Sequence, residues 1–201
     1  MIKLLFLFPG QGAQYRGMGQ DLFLENNLVR QTYEEANDIV GYDLTNISFH
    51  DEEEQLLLTR YTQPALLTHS IACMRSFFEK SDGRYPATIA AGHSLGEYSA
   101  LVAANYLTFP TALELVQKRG ELMSTFGRGE MLALPITRET AENLSAKHCC
   151  GVAACNLPEQ TVIGGLADDL DRLVSELHDI NPQARPIRLQ TEGAFHTYYM
   201  V

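Results

Sequence analysis

Ile2–Phe8 is apolar at every position except Lys3, a run that predicts a buried first strand. Thr88–Ala91 is shorter, apolar and partly β-branched, and predicts a second buried strand. Between them the polar positions recur with a helical period. Asn27–Val40 reads as one helix and Pro64–Lys80 as another, the latter with Leu66, Leu67, Ile71, Met74, Phe77 and Phe78 at helical spacing. Glu97–Ala104 is rich in helix formers. A further helix from about Pro110 to Phe126 has Thr108 placed to cap it. Strand and helix alternate up to about Phe126, which is the α/β pattern.

The pattern changes at Gly127-Arg-Gly129. Glu130–Ile136 predicts a strand, Thr137–Lys147 a helix capped by Thr137, and Gly151–Ala154 and Thr161–Gly164 two strands. Leu166–Leu177 predicts a helix and Ala184–Leu189 a last strand. The order β-α-β-β-α-β is ferredoxin-like. The expected organisation is therefore a large α/β subdomain over 1–127, a small α+β subdomain over 128–192, and a return segment over 193–201.

At 201 residues the chain can bury one substantial core with a small appended lobe. No apolar run approaches the roughly 20 residues of a membrane helix, and the N-terminal run is too short for a signal sequence. A cytoplasmic setting is expected. The cysteines, Cys73, Cys149, Cys150 and Cys155, form no C-x-x-C pair and predict neither a disulfide framework nor a zinc site. A formal net charge of −10 disfavours nucleic acid and anionic membranes as partners.

Chemistry concentrates in Gly92-His93-Ser94-Leu95-Gly96. A serine between a strand and a helix, flanked by glycines, reads as a nucleophile elbow, with the Leu95 amide placed to donate to an oxyanion. An ordinary turn with a capping serine is the plainer alternative. Ser94 needs a base, and of six histidines His196 is the best placed, because it follows the last small-lobe strand. His50, His69, His148 and His178 read as structural or solvated, and His93 should point away from its neighbour's hydroxyl. Arg119 falls on the apolar stripe of its helix, defined by Ala112, Leu115, Val116, Leu122 and Met123, and so requires an anion. That anion is either a core Asp or Glu or the carboxylate of an acyl substrate, of which malonyl is the simplest. Pro9-Gly10-Gln11-Gly12-Ala13-Gln14 offers a second oxyanion amide at Gln11 and does not meet the spacing of a nucleotide phosphate loop.

With these pieces together the sequence resembles the malonyl-CoA:acyl carrier protein transacylases and the acyltransferase domains of polyketide synthases. The resemblance rests on Phe8–Gln14, Thr62–Leu67, Gly92–Glu97, Gln117–Gly120, Asn156 with Val162–Gly165, and Gly193–His196, in the family's order. It implies an α/β-hydrolase-like large subdomain with a ferredoxin-like small one. Ser94 becomes the acylated nucleophile, His196 its base, the amides of Gln11 and Leu95 the oxyanion hole, and Arg119 the malonyl receptor. Gln63 lines the pocket, His93 matches the elbow, and Phe195, with Leu95, matches the malonyl-selective pattern. Family members continue well beyond the histidine and supply there a carbonyl that orients it. The chain stops at Val201, so the large subdomain is expected to lack its C-terminal part. Glu130 also stands where the family usually has a small residue.

The implied reaction moves malonyl from malonyl-CoA to the phosphopantetheine thiol of an acyl carrier protein, in fatty acid or polyketide biosynthesis, with no metal or redox cofactor. A basic patch for the acidic carrier is sought among Arg16, Arg128, Arg185 and Arg188. The alternatives are an acyl hydrolase acting as a proofreading thioesterase at the same site, and a non-catalytic carrier-docking fragment.

Overall fold

A computed structural model describes residues 3–201 of the chain. It is a mixed α/β protein that divides into two compact units, Met1–Glu121 and Leu122–Val201. Ile2, the start of the predicted first strand, lies outside the described residues.

In the first unit, β1 (Leu4–Phe8) pairs in parallel with β2 (Ala87–Gly92), Phe8 opposite Gly92. Helices α1 (Gln20–Glu25), α2 (Asn27–Val40), α3 (Leu44–Phe49), α4 (Thr59–Lys80), α5 (Gly96–Ala103) and α6 (Phe109–Phe126) complete it, the last turn of α6 belonging to the second unit. α2 matches its predicted limits because both ends are encoded locally. The Asn26 side chain accepts from the Val29 N–H, and Gly41 takes the left-handed conformation at the other end. α4 starts five residues before the predicted Pro64, which sits inside the helix. The core joins Ala65, Leu66, Leu67 and Ile71 of α4 to Leu95 and to Ala112, Leu113 and Val116 of α6.

The two strands are not buried as the sequence suggested. Phe6 packs against Phe77 and Phe78 of α4, whereas Leu5, Leu7 and Ile89 are exposed. Side chains alternate across a sheet, so one layer of helices covers only half of an all-apolar strand.

The second unit is a four-stranded antiparallel sheet in the order β4-β5-β3-β6, with β3 at Glu130–Leu134, β4 at Gly151–Leu157, β5 at Gln160–Gly165 and β6 at Ile187–Leu189. Helices α7 (Arg138–Lys147) and α8 (Ala167–Ile180) pack with the sheet through Leu132, Leu134, Leu144, Ile163, Leu170 and Leu173. Thr137 caps α7 as predicted, accepting from the Thr140 N–H at 3.3 Å.

All four cysteines are free thiols, and among the described residues no His, Cys, Asp and Glu side chains group as a metal site. No helix among the described residues is long and apolar enough to cross a membrane. Cys149 and Cys155 are exposed, whereas burial pushes the Cys150 thiol up to about 11. Because the thiolate is the reactive species, alkylation at pH 8 followed by peptide mapping should label Cys149 and Cys155 well before Cys150. Equal labelling would contradict this packing.

Candidate active site

The elbow forms where β2 runs into α5. Ser94 has φ +52°, a left-handed conformation that costs a non-glycine residue about 1–2 kcal/mol. The next residue offsets it, because the Leu95 side chain is 1% exposed within the core and such burial contributes about 1.5–3 kcal/mol. The turn closes with Gly96 N–H donating to His93 O at 2.9 Å and Glu97 N–H to Ser94 O at 3.1 Å. Ser94 is thus held at the N-terminus of α5, and the Leu95 N–H lies among donors a helix cannot satisfy internally.

The glycines are required by contact. A Cβ at Gly92 would lie 2.0 Å from the Gly96 carbonyl carbon, and one at Gly96 would lie 2.3 Å from Phe8 O and 2.8 Å from Pro9 O. These neighbours are backbone and cannot rotate away. Gly96→Ala should therefore destabilise the chain by about 3 kcal/mol in urea unfolding. A change below about 1 kcal/mol would show that the strand and elbow are not packed this closely.

The loop after β1 reaches the same place. His93 N–H donates to Phe8 O at 3.1 Å, and a Cβ at Gly10 would meet His93 O at 2.6 Å and Nδ1 at 2.8 Å. The His93 ring therefore faces the Gly10 loop. Gln11 follows, its side chain donating to Thr59 Oγ1 at 3.2 Å.

Arg119 joins the elbow from α6. Its Nη2 donates to Ser94 Oγ at 3.0 Å and its Nη1 to Gln63 Oε1 at 2.6 Å. Among the described residues no carboxylate forms an ion pair with it. Burial lowers the Arg119 pKa, while Tyr98 and Glu97 favour its charged form. The buried stripe of α6 differs from the predicted one. Leu115 and Leu122 are 47% and 44% exposed, and the buried line runs through Ala112, Leu113, Val116 and Gly120. Arg119 lies at the edge of that line, half-buried, with its fork directed to the elbow.

Ser94, Arg119, Gln63, Leu95, His93 and Gln11 thus come together within the first unit. His196 and Phe195 belong to the second. There Phe195 packs with Met123, Met131 and Val162, and His196 is exposed with φ +61°. The flanking backbone is fixed by Ala194 N–H donating to Arg128 O at 2.7 Å and by Thr197 Oγ1 donating to Ala194 O at 2.5 Å.

The other histidines have structural partners or solvent. His69 contacts Tyr33 and Cys73, burial lowering its pKa, and His148 pairs with Glu176 at 2.7 Å. His50 and His178 are exposed. Of the arginines considered for a carrier patch, Arg188 is paired with Glu130 and Asp171, and Arg16, Arg128 and Arg185 are exposed. Thr59, the Gln11 acceptor, was not expected here, because a helix starting at Pro64 leaves it in a loop.

A family model described as an acyl transferase domain matches residues 5–201. The malonyl CoA-acyl carrier protein transacylase of Bacillus subtilis (strain 168) is 41% identical over 209 residues, covering 100% of this chain and 65% of the relative. The polyketide biosynthesis malonyl CoA-acyl carrier protein transacylase PksC of the same organism is 36% identical, covering 98% of this chain and 68% of the relative. Among solved structures, MCAT from Streptococcus pneumoniae superposes with a TM-score of 0.86 at 40% identity, covering 98% of this chain and 65% of that one. A type II PKS acyl-carrier protein in complex with its malonyl-transacylase matches with a TM-score of 0.89 at 35% identity, covering 99% and 66%. The chain spans about two thirds of the length of these relatives.

Proposed function

Because the chain belongs to the acyl transferase domain family, we propose that it transfers a malonyl group from malonyl-CoA to the phosphopantetheine thiol of an acyl carrier protein through a malonyl-serine at Ser94. One observation carries this reading: a half-buried guanidinium, held by Gln63, donates to the hydroxyl of an elbow serine and has no carboxylate ion partner among the described residues. A cation beside the nucleophile selects an acyl group with its own negative charge. The first unit is read as α/β-hydrolase-like and the second as ferredoxin-like. The parallel strand-elbow-helix unit supports the former, and the sheet order β4-β5-β3-β6 the latter.

The steps balance without a metal or redox group. His196 takes the Ser94 proton as Oγ attacks the thioester carbon, and the N–H groups of Leu95 and Gln11 receive the oxyanion. The C–S bond breaks and CoA leaves as the thiol with the proton from His196. The carrier thiol then gives its proton to His196 and attacks the malonyl-serine, and Ser94 recovers the proton as it leaves. Arg119 holds the malonyl carboxylate throughout, so its contribution is positioning. Phe195 is the proposed steric limit on the α-carbon, a discrimination of about 1–3 kcal/mol per methyl. The proposed setting is cytoplasmic, in keeping with the free thiols.

Mixing the chain with malonyl-CoA and a phosphopantetheinylated carrier protein, with the carrier's mass followed over time, tests the reaction. Malonyl on the carrier is expected. Free malonate with an unmodified carrier would indicate a hydrolase, and carrier binding without turnover a docking module.

A further inference from the structure

We infer that Thr59, the first residue of α4, is a positioning residue that sets the oxyanion amide of Gln11. This rests on the acyl-exchange reading above. The loop carrying Gln11 is a turn closed by Ala13 N–H donating to Gly10 O at 3.4 Å, with Gly12 at φ +105°. That turn's bond does not use the Gln11 N–H, which remains at the corner. Glycines on both sides make the corner conformationally permissive, so an amide that must sit about 2.7–3.1 Å from a developing oxyanion needs an external anchor.

Beside the local bond from Gly12 N–H to Gln14 Oε1 at 2.7 Å, two anchors from outside the loop are present. Gly10 is fixed on one side by its contact with His93. On the other, the Gln11 side chain donates to Thr59 Oγ1, and Thr59 is fully buried and so a rigid acceptor. Thr59 lies one helical turn before Gln63, the residue that receives Arg119. α6 meets the same turn, since a Cβ at Gly120 would lie 3.0 Å from Thr59 O and from Arg60 Cα. The first turns of α4 thus reference the oxyanion loop through Thr59 and the carboxylate receptor through Gln63. In this assignment Thr59 acts through Gln11.

Single-turnover acylation of Ser94, read by intact mass at saturating donor, tests this. Thr59→Val keeps the volume and removes the acceptor; Gln11→Met removes the donor and keeps the backbone amide. Each should slow acylation roughly 10- to 100-fold, less than the ~10²–10³ of deleting an oxyanion donor, with little change in KM. An oxyanion is common to all thioesters, so the rate with acetyl-CoA should fall by the same factor and leave the malonyl-to-acetyl ratio unchanged. Thr59→Ser should restore the rate, and the double variant should be no slower than either single one. Acylation within twofold of the parent in folded Gln11→Met, or a loss confined to malonyl, would overturn the assignment. The half-buried Gln11 carries the test should Thr59→Val not fold. A parent chain that forms no acyl-serine overturns the acyl-exchange reading, and this inference with it.

Discussion

Replacing Ser94 with alanine should abolish the covalent malonyl adduct and reduce carrier malonylation by at least about 10⁴-fold, because no other group in the elbow can form the ester. The fold should survive. The substitution removes one hydroxyl and its bond from Arg119 Nη2, and Leu95 still anchors the turn in the core. The unfolding free energy should stay within about 1 kcal/mol of the parent. Ser94→Gly sharpens the point. Glycine takes φ +52° without the steric penalty, so this variant should be equally inactive yet up to about 1 kcal/mol more stable. Stability gained as activity is lost is the signature of strain kept for the reaction. Residual adduct in Ser94→Ala would place the nucleophile elsewhere.

Replacing Arg119 with alanine should change which acyl group is used more than whether acylation occurs. A hydrogen bond to a charged group is worth about 1.5–3 kcal/mol, so acylation by malonyl-CoA should fall roughly 10- to 150-fold. Acylation by acetyl-CoA, which has no carboxylate to lose, should fall far less and bring the two rates together. Arg119→Lys should not restore the preference, since an ammonium cannot bond Gln63 and a carboxylate with a planar fork. Parallel losses for both donors would show that Arg119 supports the elbow through Ser94 and is not a carboxylate receptor.

The elbow was legible because its demands are local. Gly92 and Gly96 are each within 2.3 Å of backbone if a Cβ is added, and only glycine meets that. Arg119 was legible as a cation placed on an apolar stripe, although the stripe was misaligned and Arg119 lies at the edge of the buried line. Leu115 and Leu122 are apolar but exposed, and Leu113 is the buried neighbour, since residue type alone does not fix which arc of a helix meets the core. α3 went unseen because six residues carry little periodicity, yet its signal was present: Asp43 accepts from the Asn46 N–H at 2.8 Å. Thr59 was hidden by Pro64, because proline's preference for the first helical turn makes it a start signal, whereas here it is the sixth residue of α4. The exposure of Leu5, Leu7 and Ile89 is a property of what packs on a strand and could not be read from the strand itself.

Whether Ser94 carries a malonyl ester is decided by intact-protein mass and peptide mapping after brief mixing with malonyl-CoA. One malonyl group is expected, on the peptide containing Ser94, formed much faster than the acetyl adduct. No adduct on a folded chain, or an adduct mapped to another residue, would contradict the malonyl-serine.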